Sequence, residues 1–150
     1  MGWWDYGIMG GDTPWDVAGD ATDLLGLDDF EDMHLPHCWT VEEQQLVKEA
    51  LIAYGGPKKL CGHIISKWKG NSSHIIDQVV GLLAISSGFP IDEEFRQYAI
   101  AACDDEIDAL DQKVDPERIT KLNELKELLI NYQGQPISID QTSLFEKMFG

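Results

Sequence analysis

A run of apolar residues in the middle of the chain, residues 73–87, sets the strongest condition on its fold. A helix that is apolar on nearly every side must be surrounded by other elements. Asn71-Ser72-Ser73 supplies a helix start, and Gly88-Phe89-Pro90 interrupts the chain after it. We therefore predict a central buried helix over 73–87, with these apolar residues distributed around it: Ile75, Ile76, Val79, Val80, Leu82, Leu83 and Ile85.

Helix start and stop signals divide the rest of the chain. Thr13 as N-cap with Pro14 after it, and Thr40 with Glu43 as a capping box, open two helices. No segment shows the apolar–polar alternation typical of a strand. We predict one all-α domain over residues 1–150, a compact bundle of about five to seven helices behind an aromatic and glycine-rich N-terminal loop. The predicted helices cover about 13–25, 41–54, 57–68, 73–87, 92–112 and 116–132.

The charge is large, negative and unevenly distributed. The formal net charge is -16, from 27 acidic and 11 basic residues, and residues 1–47 contain no Lys or Arg. This charge disfavours nucleic acid and anionic membranes as direct partners, because both are negative. It suits a basic protein surface as partner, a metal ion, or solubility alone. Three cysteines and the lack of a signal-peptide pattern at the start favour a cytoplasmic protein with reduced thiols.

Part of the negative charge lies on one side of the first predicted helix. At about 100° per residue, Asp16, Asp20 and Asp23 fall within roughly 60° of one another, opposite the apolar side. One interpretation is that Asp16 caps the helix while the other two are solvated. The other is a rigid acidic surface that docks a basic partner; hard-metal binding is disfavoured, since one helix face does not encircle an ion. The candidate partner-binding residues, here called the acidic segment, are Asp12, Asp16, Asp20, Asp23, Asp28, Asp29, Glu31 and Asp32.

Histidine and cysteine residues occur in two short stretches. His34, His37 and Cys38 lie in the first, and Cys61 and His63 in the second. Zinc accepts these ligand types, but the spacing is neither a paired CxxC nor an HExxH pattern. Local packing of these side chains is the simpler interpretation. We predict no cofactor and retain zinc as the lesser alternative.

A carboxylate interrupts the apolar stripe of the helix over 92–112. Glu106 must there be paired, protonated or exposed in a groove. Arg96 and Arg118 are the candidate partners, and a pocket residue is the alternative. His74 and Asp77, three residues apart, share a helix face on which the carboxylate orients an imidazole. These residues define a possible pocket, although no nucleophile or phosphate-binding motif accompanies them.

The start of the chain resembles an uncharacterised family of small bacterial and phage proteins. Its members open with Met-Gly-x-Trp-x-x-Gly, then a hydrophobic residue and two aspartates four apart. The resemblance covers about 16 residues, and it implies a bacterial or phage-infected cell but no established activity. It implies that Trp4 and Gly7 form one local structural unit with the two aspartates. The matching residues here are Met1, Gly2, Trp4, Gly7, Asp12 and Asp16.

Two classes of function follow from these observations. The favoured one is a non-enzymatic acidic binding protein, an inhibitor of the immunity or phage anti-defence type, which occludes a basic surface on a nucleic-acid-binding or defence protein. Dense carboxylates on a rigid scaffold can imitate nucleic-acid phosphates. The alternative is a small-molecule- or metal-binding helical protein, including an enzyme. Its site would be drawn from His34, His37, His63, His74 and Glu106.

Overall fold

The computed structural model describes residues 12–27, 40–70, 73–110, 113 and 116–135. All regular structure in these ranges is helical, which confirms the predicted all-α bundle. None of the helices in these ranges is long and apolar enough to cross a membrane. The helices are α1 (Asp12–Leu24), α2 (Val41–Tyr54), α3 (Pro57–Lys67), α4 (Ser73–Ser87), α5 (Glu93–Ala109) and α6 (Pro116–Asn131).

The helix ends follow local sequence signals, with small differences. Thr40 and Glu43 form the predicted capping box: the Glu43 amide donates to Thr40 Oγ1 at 3.1 Å, and the Thr40 amide donates to Glu43 Oε1 at 2.8 Å. Gly55 ends α2 with φ 108°, a left-handed conformation that glycine adopts without strain. Helix α1 begins at Asp12, so Thr13 lies inside the helix and the predicted N-cap was wrong. Helix α5 ends at Ala109, earlier than predicted.

Helix α4 occupies the centre of the bundle, as the sequence predicted. Every residue from Ile76 to Ser87 is buried, and α4 contacts each of the other five helices. Gly81 allows α5 to approach closely, because a Cβ placed there would lie 3.2 Å from the Cβ of Ala99. The remaining helices therefore form a shell around α4, and candidate site residues lie both on these helices and on α4 itself, which carries His74 and Asp77.

The end of α6 is fastened to α5 and to the turn after α4. Arg96 on α5 donates to the backbone oxygens of Leu129 and Ile130. The Tyr132 hydroxyl donates to the Phe89 backbone oxygen at 2.6 Å, and burial raises the pKa of Tyr132 to about 12. The two Arg96 bonds satisfy carbonyl groups of the last turn of α6, which have no partner within that helix.

Candidate functional site

The three aspartates on the outer side of α1 have different environments. Asp16 and Asp23 are exposed, whereas Asp20 is partly buried against α3. Asp20 accepts hydrogen bonds from Trp68 Nε1 at 2.7 Å and from Lys67 Nζ at 2.9 Å. Burial opposes ionisation of Asp20, but these two donors outweigh it and hold its pKa below the usual value. Asp20 therefore joins α1 to α3.

Lys67 brings a positive charge to this side of α1. Its bond to Asp20 raises the pKa of Lys67, and the charge of Asp23 adds a weaker contribution. Asp16 and Asp23 remain as exposed carboxylates, seven residues apart and so about 10 Å apart along the helix axis. The charged side of α1 is therefore partly compensated by Lys67 at its middle, while the Asp16 and Asp23 carboxylates are exposed toward its two ends.

The remainder of the acidic segment and the N-terminal motif belong to other parts of the chain than the described ranges. Asp28, Asp29, Glu31 and Asp32, with Trp4 and Gly7 of the N-terminal motif, lie outside the described residues. Asp12 is the first residue of α1, and the side chains of α1 are described from Asp16 onward. The predicted roles of these residues stay predictions.

A buried polar network joins α4, α5 and α6. Arg118 donates from Nε to Glu106 Oε2 at 2.7 Å and from Nη2 to Glu106 Oε1 at 3.0 Å. Gln78, fully buried, donates to Glu106 Oε1 at 2.9 Å and accepts from Arg118 Nη2 at 3.0 Å. His74 Nε2 lies 3.8 Å from Glu106 Oε1. Of the two predicted arginine partners, Arg118 is confirmed, and Arg96 binds the end of α6 instead.

The network determines the ionisation of Glu106. Burial raises its pKa, but the hydrogen bonds and charge of Arg118 outweigh that effect, with help from Gln78 and His74, and the net pKa is below the usual value. Both Glu106 oxygens are occupied by protein donors. This arrangement suits a structural ion pair between helices and leaves Glu106 poorly suited to donate a proton.

A small cleft lies between α3, α4 and α5, and we call it the Asp77 cleft. Helix α3 contributes Lys58, Cys61, Gly62 and Ile65 to its wall, and α4 contributes Asp77. The aromatic residues Phe95 and Tyr98 of α5 complete the wall. The cleft has about 140 Å³ of free volume.

Asp77 and Cys61 interact directly in this cleft. The Cys61 thiol hydrogen-bonds the Asp77 carboxyl group. Burial raises the pKa of Asp77; the thiol bond and the charge of His74 counteract this only in part. Burial, with the negative charge of Asp77, raises the pKa of Cys61 well above its usual value. Cys61 is therefore a neutral thiol that acts as a weak donor.

The predicted pocket of His74, Asp77 and Glu106 is divided between two places. His74 lies beside Glu106 in the polar network, while Asp77 lines the cleft. Sequence reasoning missed Cys61, Phe95 and Tyr98 as neighbours of Asp77. The cleft residues of α3 do follow helical spacing at 58, 61, 62 and 65, but spacing alone does not say which helix faces them.

The candidate zinc ligands are separated where the structure describes them. Cys61 is hydrogen-bonded to Asp77, whereas His63 is exposed and its Nδ1 is hydrogen-bonded to the Tyr54 hydroxyl. His34, His37 and Cys38 lie outside the described residues. Within the described ranges, no group of three or more His, Cys, Asp or Glu side chains is arranged to hold a metal ion.

Comparison of the chain with protein-family models, with curated proteins and with solved structures gave no match.

Proposed function

We propose that the protein binds a basic surface of a partner protein through its acidic segment, as an inhibitor of the immunity or phage anti-defence type. The observation that carries this proposal is the two-sided character of α1. Val17, Ala18 and Ala21 are fully buried in the core, which fixes the helix to the domain. Asp16 and Asp23 on its other side are exposed.

The charge distribution supports the same proposal. With no Lys or Arg among residues 1–47, a basic partner meets little repulsion from this part of the chain. A net charge of -16 accelerates association with a basic partner and repels nucleic acid itself. Carboxylates held on a rigid helix imitate the spaced negative charges of a nucleic acid, so a nucleic-acid-binding or defence protein is the proposed class of partner.

The test is affinity capture from bacterial lysate at low and high salt, with the variant D16N/D23N. Asp20 stays unchanged, because it joins α1 to α3. The matched control is D105N/D108N, which removes two exposed charges from α5. We expect the wild type and the control to capture the same basic protein at low salt. D16N/D23N should capture it weakly, and high salt should reduce capture by the wild type, since exposed charges are screened.

Equal capture by D16N/D23N and the wild type would exclude this surface as the binding site. Equal loss in both double variants would mean that net charge, and not the surface of α1, drives binding. Circular dichroism of each variant establishes that the helices are retained.

Small-molecule binding is the second candidate function, and the Asp77 cleft favours it. Of the pocket residues predicted from the sequence, Asp77 lines this cleft, whereas Glu106 is bound by Arg118.

A further inference from the structure

We propose that the Asp77 cleft binds a small organic ammonium ion, with its charged group at Asp77 and its apolar part against Ile65, Phe95 and Tyr98. This site is separate from the acidic segment and does not depend on the proposed partner. Its ligand class is a primary amine that carries one ring or a short alkyl chain.

Within the described part of the chain, the buried Asp77 carboxyl group has no strong hydrogen-bond donor beside it. Asp77 is 9% exposed. In the described part of the chain, its carboxyl group interacts with the Cys61 thiol, through a hydrogen bond, and with the charge of His74. A thiol is a weak donor, whereas an ionised carboxylate accepts about four hydrogen bonds. A buried charge of this kind is costly without a compensating partner. An ammonium group offers three strong donors and a full positive charge, so it supplies what the thiol does not.

The walls of the cleft suit the apolar part of such a ligand. Ile65 and Phe95 provide apolar surface, and Tyr98 provides an aromatic ring at the opening, where half of the residue is exposed. The free volume of about 140 Å³ is close to that of an engineered apolar cavity of about 150 Å³ that binds benzene. A single ring or a chain of similar size therefore fits, and a nucleotide or a peptide does not.

The charges around the cleft select for a cation. Lys58 at the rim is the basic residue of the cleft wall, and it is paired with Glu94. Its Nζ also lies 5.4 Å from the centre of the Tyr98 ring, so the ammonium group of the ligand is assigned to Asp77 and not to this ring. An anionic ligand would be repelled by the Asp77 carboxylate at short range and by the net charge of -16 at long range. A neutral ligand would leave the Asp77 charge uncompensated.

The test is titration with benzylamine, followed by the amide signals in a proton–nitrogen correlation spectrum. Benzyl alcohol and benzoate serve as neutral and anionic probes of the same shape. We expect benzylamine to shift the signals of Gly62, Ile65 and Tyr98 in a saturable way. Benzyl alcohol should bind at least about tenfold more weakly, because a hydrogen-bonded charge pair is lost. Benzoate should not shift these signals.

Two variants separate the contributions of charge and space. D77N removes the carboxylate and should weaken benzylamine binding at least about tenfold; D108N, an exposed change on α5, is its control and should bind as the wild type does. G62M fills the cleft from a position where an added Cβ meets no atom within 4 Å, and it should abolish the shifts. G19M on α1, where an added Cβ is equally free, is the control for G62M.

Several results would overturn the proposal. Benzyl alcohol that binds as tightly as benzylamine would refute the charge pair, as would unchanged affinity in D77N. Signal shifts confined to α1, or shifts that persist in G62M, would show that benzylamine binds non-specifically to the acidic surface and not in the cleft. Absence of saturable shifts at millimolar benzylamine would exclude the site altogether. If D77N does not fold, the comparison of G62M with G19M decides the question.

Discussion

Arg118 on α6 donates hydrogen bonds to both carboxylate oxygens of Glu106 on α5, at 2.7 and 3.0 Å. Gln78 on α4 completes the group, and it also donates to the Ala102 backbone oxygen at 3.2 Å. Three helices are therefore held at one relative register by a buried, fully hydrogen-bonded cluster. Such pairs contribute little net stability over apolar residues, but breaking them on one side is costly.

The first prediction concerns this pair. R118M leaves Glu106 buried without its charge partner, so the free energy of unfolding should fall by about 3–5 kcal/mol. The double variant E106L/R118M removes both charges and should recover most of that loss. Urea denaturation of the two variants and the wild type measures the difference. A single variant as stable as the wild type would contradict the role of this pair in joining the helices.

The second prediction concerns the pH dependence that Asp77 imposes on stability. Its pKa is raised in the folded state, so its contribution is most favourable below the unfolded pKa of about 3.9 and is lost as the pH rises through the folded pKa. The groups that act on it are Cys61 on α3 and His74 on α4. Lys58 on α3 and Tyr98 on α5 also line the cleft.

D77N should therefore melt at a higher temperature than the wild type at pH 7, and the difference should disappear near pH 3. Thermal unfolding at several pH values checks this. The contribution of Glu106 to stability depends on pH in the opposite direction. Its pKa is lowered in the folded state, so this contribution is present above the unfolded pKa and is lost as the pH falls through the folded pKa. A D77N variant less stable than the wild type at pH 7 would mean that the carboxylate is better compensated than its contacts indicate.

The third prediction concerns the close approach of α4 and α5. G81V adds bulk at a position where an added Cβ would lie 3.2 Å from Ala99 Cβ and 3.9 Å from Leu129 Cδ2. G81V should destabilise the protein by about 1–3 kcal/mol through overpacking. G19A, at a helical glycine of α1 with free space around it, should stabilise by about 0.5–1 kcal/mol. Chemical denaturation of both variants tests whether α4 is packed as closely as described.

The fourth prediction concerns the link between α1 and α3. D20N loses the ionised acceptor of Trp68 and Lys67, and we expect a loss of about 1–2 kcal/mol. D16N, at an exposed position on the same helix, should change stability by no more than about 0.5 kcal/mol. Because the pKa of Asp20 is lowered, the difference between D20N and the wild type should shrink as the pH falls through that pKa. Equal stability of D20N and D16N at neutral pH would contradict the link.

Much of the helical framework was predictable because its signals are local. Thr40 and Glu43 form a capping box within one helical turn. The helix over 73–87 is apolar on nearly every side, so it must be buried whichever elements pack around it. The need of Glu106 for a partner also followed from its place in an apolar stripe. The wrong N-cap at Thr13 is also a local matter, because it shifts the start of α1 by only one or two residues.

Tertiary structure decided which distant side chains meet. The sequence does not distinguish Asp20 from a solvated aspartate on the same face of α1. The packing of α3 against α1 brings the Trp68 side chain, 48 residues later in the chain, to the Asp20 carboxylate. The choice of Arg118 over Arg96 for Glu106, and the meeting of Cys61 with Asp77, likewise depend on how helices cross. A helical pattern specifies a face and its polarity, whereas the partner of that face is set by the packing of the whole core around α4.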